Sequence, residues 1–114
     1  LKNLADILKK NVRDKDTLGR YGGEEFAIIL PGIQPFEAMK IAERIRKVVE
    51  STPLARVGNK NIFITISAGI ASYPTDAVSI EDLVNKADKA MIFGAKQKGR
   101  NKVVMFRPNM NVEN

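Results

Sequence analysis

At 114 residues the chain is one domain at most, with room for a single modest core. It contains no cysteine and no histidine, which excludes disulfides, thiolate metal sites and imidazole chemistry. Lysine and arginine number 19 against 13 aspartate and glutamate, a net charge of +6 that suits an anionic partner.

That charge is spread over several helical segments rather than gathered in one run, and aromatic content is 6% with no tryptophan. Few stacking platforms are left for single-stranded nucleic acid, so a nucleotide is the better expectation. Acid–base or metal chemistry must use carboxylates, lysines or water, and carboxylates favour magnesium or calcium over zinc. No apolar run approaches membrane-spanning length and no signal peptide is visible, which predicts a cytoplasmic domain. The first residue is Leu1 rather than methionine, so upstream segments are expected.

Residues 1–12 read as a helix, with Leu4, Ile7, Leu8 and Val12 on one face. Asp14, Asp16 and Gly19 break it. Residues 17–21 and 25–30 form the arms of a hairpin around Gly22-Gly23, a pair that meets the positive φ of a tight turn. The second arm (Ala27, Ile28, Ile29, Leu30) is apolar on both faces and predicts a strand inside a covered sheet. Pro31-Gly32 ends it, and Pro35 suits the first turn of a helix over residues 34–51. Its stripe is Ala38, Ile41, Ala42, Ile45, Val48 and Val49. After Pro53, residues 54–57, a Gly58-Asn59 turn and residues 61–71 read as a second hairpin with one long strand. Ser79 caps a third helix with Asp82 in the capping-box position; its apolar stripe runs to residue 98, and Gly99 stops it. Residues 102–106 form a last strand, and a frayed tail begins at Pro108. Helix, hairpin, helix, hairpin, helix, strand predicts an α/β (α+β) domain with a mostly antiparallel sheet covered by helices. No repeat or linker is present.

The chemistry concentrates at Gly22-Gly23-Glu24-Glu25-Phe26. Bare backbone beside two acids lets a phosphate come close and holds the cation that accompanies it. Taken alone, the same residues also fit an ordinary exposed acidic turn. Arg20-Tyr21 precedes them, Phe26-Ala27-Ile28-Ile29-Leu30-Pro31-Gly32 follows, and Arg13-x-x-Asp16 lies upstream. Together these resemble the signature of the GGDEF family, the diguanylate cyclases, in its Gly-Gly-Glu-Glu-Phe form. The likeness continues through Ile64-Thr65-Ile66-Ser67-Ala68-Gly69-Ile70-Ala71 and through Ala87-Asp88 to Gly99-Arg100-Asn101, nearly the whole chain to residue 106.

The resemblance implies a nucleotidyl-cyclase-like, ferredoxin-like core, with residues 1–107 forming the C-terminal two-thirds of a GGDEF domain. The family's first strand, its Asp-x-Asp metal motif and its guanine-reading Asn and Asp have no counterpart here. The fragment is therefore expected to be inactive alone. In a parent protein the resemblance implies condensation of two GTP molecules into cyclic diguanylate, with two magnesium or manganese ions per active site. Glu24 is then the metal-binding catalytic acid and Glu25 its supporting acid, while GTP approaches the backbone at Gly22 and Gly23. Lys96 and Arg100 are assigned to the triphosphate, although complementarity to a helix C-terminus explains cations there equally. Arg13, Asp16 and Arg44 match an inhibitory product site; a solvated surface ion pair is the alternative. A homodimer and an upstream sensory or receiver domain are implied as partners, and any membrane anchor would lie in upstream segments.

One departure from the family pattern stands out. Ala87-Asp88-Lys89-Ala90-Met91-Ile92-Phe93-Gly94-Ala95-Lys96 is one residue longer and lacks a tyrosine, which turns the following residues by about 100° unless a bulge absorbs it. Two other functions stay open on the sequence. One is a degenerate GGDEF receptor that binds cyclic diguanylate or GTP without turnover; the other is a ferredoxin-like interaction domain with no nucleotide.

Overall fold

The computed structural model describes residues 2–22, 25–96 and 99–110. Along them run α1 (Lys2–Lys10), β1 (Thr17–Gly22), β2 (Glu25–Ile29), α2 (Pro35–Ser51), β3 (Ala55–Val57), β4 (Lys60–Ile62), β5 (Ala68–Ile70) and α3 (Ile80–Lys89). A π-helical segment (Ala90–Lys96) and β6 (Val103–Met105) complete the order. The fold is α+β, as the element pattern predicts. The β1–β2 and β3–β4 pairs are antiparallel, and β5 pairs parallel with β6.

The core forms where the predicted stripes meet. Leu4 and Leu8 of α1, Ile45 and Val49 of α2, and Leu54 are buried together. Leu18, Phe26 and Ile28 of the first hairpin, with Ile64 and Ile66, pack against them. Val49 is fully enclosed, and burying a side chain of this class stabilises by about 1.5–3 kcal/mol. A second layer brings α3 and the π-helical segment onto β5 and β6, where Ile70, Ala90 and Ala95 are buried. Contact there is backbone to backbone: a Cβ on Gly69 would collide with the Ala87 carbonyl oxygen and the Met91 nitrogen.

Ends follow local chemistry. Pro35 opens α2 from an extended Gln34, and Thr52 closes it, with its N–H on the Val49 carbonyl and Oγ1 on the Val48 carbonyl. Ser79 Oγ accepts from the Asp82 N–H at 3.0 Å, while Asp82 Oδ2 accepts from the Val78 N–H at 3.1 Å. The box therefore closes one residue further out than the standard pattern.

Four expectations are corrected. The long strand over residues 61–71 is interrupted: β4 ends at Ile62 and β5 begins at Ala68, with no ladder between. Ile64 and Ile66 still pack on the core while Phe63 faces solvent, so the alternation of an extended chain persists without cross-strand bonds. The residues of β2 are half-buried rather than enclosed. The third helix is not α-helical throughout, since Ala90–Lys96 form wider π turns. Within the expected frayed tail, residues 108–110 form a turn in which the Met110 N–H reaches the Arg107 carbonyl at 3.1 Å and the Met110 side chain lies against Gly94. Residues 111–114 lie outside the described residues. No helix among the described residues is long and apolar enough to cross a membrane.

Candidate functional site

The first hairpin is registered by its apolar residues up to Arg20↔Phe26; the next pair is Gly22↔Glu25. Tyr21 is therefore an extra residue in β1, a bulge of the kind found beside functional sites. It corrects the expected turn: Gly22 ends a strand instead of forming the tip, and it is not among the glycines with positive φ. Gly23 and Glu24 lie outside the described residues, and the expectations for them with them. Among described atoms nothing stands within 4 Å of where a Gly22 Cβ would be. Neither dihedral nor protein packing explains glycine at that position.

Contacts on both sides hold the arms. The Arg20 guanidinium lies 5.4 Å from the Phe26 ring centroid across the pair. Tyr21 Oη donates to Asn85 Oδ1 on α3 at 3.1 Å. Glu25 opens β2, and its Oε2 lies 4.0 Å from Lys96 Nζ, both side chains being about one-third exposed. The end of the π-helical segment is thus brought to the hairpin tip.

The extra residue of that segment is absorbed by widening the helix. The widened turns run from Ala90 to Lys96. Beyond them the Arg100 N–H closes the helix end on the Ala95 carbonyl at 2.9 Å, with Gly99 at positive φ between, as in a glycine C-cap. The chain then leaves through Gly99, Arg100 and Asn101 in succession at φ of 107°, 64° and 51°. Lys96 sits at the start of this exit and Arg100 at its centre. Among the described residues the Arg100 guanidinium has no hydrogen-bond or ion-pair partner.

Arg13 and Asp16 form a closed fork. Arg13 Nε and Nη2 donate to Asp16 Oδ1 at 2.9 and 2.6 Å, and the Arg13 backbone N–H donates to Oδ2 at 2.7 Å. Arg13 Nη2 also donates to the Pro31 carbonyl at 2.8 Å, tying the loop after α1 to the end of the hairpin. The side chain of Asp16 is 2% exposed, and the hydrogen bonds from Arg13 hold its carboxyl below the usual carboxylate range. The same bond raises Arg13. Arg44 Nη2 donates to the Asn11 carbonyl at 3.0 Å, satisfying an orphan oxygen where α1 ends, two residues before Arg13. Arg44 also lines a groove of about 560 Å³ along α2 with Phe36, Lys40 and Lys47.

Among the described residues no group of three or more acids could hold a metal ion. With histidine and cysteine absent, the oxygen donors of this chain suit a hard cation such as magnesium or manganese. Glu24, the acid singled out as its ligand, is outside the description.

Sequence reasoning missed a network behind Arg100. Arg46 of α2 donates to both oxygens of Glu43 at 2.7 and 2.8 Å and to Asn101 Oδ1 at 2.9 Å. Asn101 Nδ2 donates to Glu50 Oε2 at 2.7 Å. The helical part had a signal, since Glu43, Arg46 and Glu50 stand at three- and four-residue spacing. Its connection to Asn101 crosses 55 positions and had none.

Comparison with known proteins places these features in a family. The family model described as "Diguanylate cyclase, GGDEF domain" matches residues 1–102. Diguanylate cyclase A of Treponema denticola is 44% identical over 110 residues, covering 96% of this chain and 29% of that protein. The chain thus spans less than a third of the length of that curated relative. The active GGEEF domain of a Vibrio cholerae diguanylate cyclase superposes with a TM-score of 0.82 at 32% identity, covering 94% of this chain and 66% of the other. The GGDEF domain of DgcB from Caulobacter crescentus, solved in complex with c-di-GMP, gives 0.79 at 32% identity, covering 90% and 60%.

Proposed function

The chain belongs to the GGDEF domain family, and from that premise we propose that it serves a diguanylate cyclase condensing two GTP molecules into cyclic diguanylate. Each 3′-hydroxyl attacks the α-phosphorus of the other GTP; two P–O bonds form, two break, and two pyrophosphates leave. One domain holds one GTP, so two domains face each other in a twofold dimer.

The observation that carries this reading is the approach of Lys96 to Glu25, which gathers a cation and an acid beside a strand end with open space at Gly22. Lys96 and Arg100 take the triphosphate, Gly22 leaves room for it against the backbone, and Gly23 is assigned the same role. Glu24 is the ligand for a divalent cation, with Glu25 supporting it. When bound, magnesium or manganese would neutralise charge on the phosphates and orient them. Arg13 and Asp16, with Arg44 beside them, form a product site. To take product the closed fork must open; an arginine fork then suits a guanine O6/N7 edge or a phosphate, and a carboxylate suits guanine N–H donors. A family neighbour solved with c-di-GMP makes that ligand a reasonable choice for this chain.

The second reading is a receptor without turnover, which would use the same Arg13–Asp16 fork and need no metal-binding acids. One experiment separates the two. The natural gene product carrying this domain is incubated with GTP and magnesium, and nucleotides are resolved chromatographically, with Glu24→Ala as control. Cyclic diguanylate that disappears in the variant supports the cyclase. No product, together with cyclic diguanylate binding that is lost in Arg13→Ala, supports the receptor. Neither turnover nor binding sinks both.

A further inference from the structure

The exit from the π-helical segment is unusual in its backbone. Three successive residues have positive φ, and two of them, Arg100 and Asn101, are not glycine. Asparagine tolerates the left-handed region better than most residues; arginine has no such advantage. A non-glycine residue stays there only when its surroundings over-determine it.

Those surroundings converge on Asn101. Its N–H donates to Ser67 Oγ at 3.1 Å, its Oδ1 accepts from Arg46 Nη1 at 2.9 Å, and its Nδ2 donates to Glu50 Oε2 at 2.7 Å. Arg46 is itself fixed by its two bonds to Glu43 and lies 3.6 Å from Glu50 Oε1, with only 13% of its side chain exposed. On the other side of the turn, the Arg100 N–H is held by the Ala95 carbonyl. Arg100 is therefore anchored through the main chain on both sides, while its guanidinium makes no bond among the described residues.

We propose that Arg46 is a positioning residue: through Asn101 it locks the left-handed turn that aims Arg100 at a nucleotide triphosphate. The inference rests on the assignment of Arg100 to the triphosphate. Pre-orientation of this kind removes ordering cost at the moment of binding, and a bidentate arginine supplies it where a lysine cannot.

The test measures binding of 3′-deoxy-GTP, which lacks the attacking hydroxyl, to the natural gene product carrying this domain. Arg46→Met and Asn101→Gly are made in the wild type and in an Arg100→Ala background. Asn101→Gly keeps the left-handed backbone accessible while removing both side-chain tethers, so it guards against simple misfolding. Each is expected to weaken triphosphate binding about tenfold in the wild type, the scale of one charge-assisted contact. Neither should weaken it further once Arg100 is alanine, and cyclic diguanylate binding should stay unchanged throughout. A lowered melting temperature with unchanged triphosphate affinity would overturn the proposal, as would equal losses in both backgrounds. If Arg100→Ala alone leaves binding unchanged, the triphosphate assignment fails and this inference with it, an outcome distinct from the other two.

Discussion

Lys96 Nζ stands 4.0 Å from Glu25 Oε2, across the gap between the end of a π-helical segment and the first residue after a hairpin tip. Neither side chain is buried, so the pair is worth little as a tether, about 0.2–1 kcal/mol. On the proposed function, it keeps a cation where the triphosphate of GTP is expected. Lys96→Met is expected to raise the KM for GTP by about 10- to 100-fold, the loss of one or two charged hydrogen bonds. Glu25→Gln should act oppositely on KM, lowering it about two- to fivefold by freeing Lys96. It should also lower kcat, as the supporting role proposed for Glu25 requires. Steady-state kinetics on both variants reads the split; a KM for Lys96→Met equal to wild type rejects the assignment.

Gly69 and Gly94 test the second layer. A Cβ on Gly69 meets backbone atoms, the Ala87 carbonyl oxygen and the Met91 nitrogen, which have no rotamer to yield. On Gly94 it meets Val104 Cγ1 and, at 2.8 Å, the end of the Met110 side chain. Gly69→Ala is therefore expected to cost more than the usual overpacking range of about 1–3 kcal/mol, and Gly94→Ala to fall within it. Urea denaturation of the two variants gives the order directly, and a smaller loss for Gly69→Ala contradicts the close approach.

The parts of this fold legible in the sequence are those carried by short-range pattern. The stripe through Ile41, Ile45, Val48 and Val49 sets α2, Pro35 sets its start, and Ser79 caps α3. Tyr21 was not legible as a bulge, because the slip from Arg20↔Phe26 to Gly22↔Glu25 is decided by pairing rather than by residue type. The alternation of Ile64 and Ile66 reads as strand, yet ladder bonds need a neighbour that local pattern cannot provide. At the site, Arg13-x-x-Asp16 was visible because its geometry is local. The clamp of Arg46 on Asn101 joins two segments that only the tertiary fold brings together.

Acid should dissolve the Arg13–Asp16 fork in a defined direction. The carboxyl of Asp16 is held below its ordinary value, chiefly by the hydrogen bonds from Arg13. A group whose folded value is depressed contributes stability that is fully present above its unfolded value, about 3.9, and is lost as pH falls through the folded value. Asp16→Asn should therefore be less stable than wild type at neutral pH, with the difference shrinking from about pH 4 downward. Glu43 and Asp82 are depressed as well, by Arg46 and Lys86, but they remain in both proteins and cancel in the comparison. Denaturation midpoints of the two proteins between neutral and strongly acid pH measure the difference. A gap that widens toward acid would reverse the sign and reject the fork as its source.

The widened helix makes a prediction about length. In an α-helix one added residue rotates everything beyond it by about 100°, whereas a π turn takes up the extra residue and leaves the flanking segments in register. Deleting Phe93 should therefore convert the segment toward α-helix while keeping Lys96 and Arg100 close to their present positions. Triphosphate affinity is expected to stay within about threefold, under 1 kcal/mol. Inserting an alanine after Phe93 adds a second extra residue to a segment already widened from Ala90 to Lys96. That insertion should swing Lys96 away from Glu25 and cost the same 10- to 100-fold, roughly, as removing its charge. Circular dichroism establishes that both variants fold, and titration with 3′-deoxy-GTP compares them. If deletion and insertion are equally damaging, the π turns are doing more than absorbing a residue. Their side chains, Ile92 and Phe93 foremost, would then be part of how Lys96 is held.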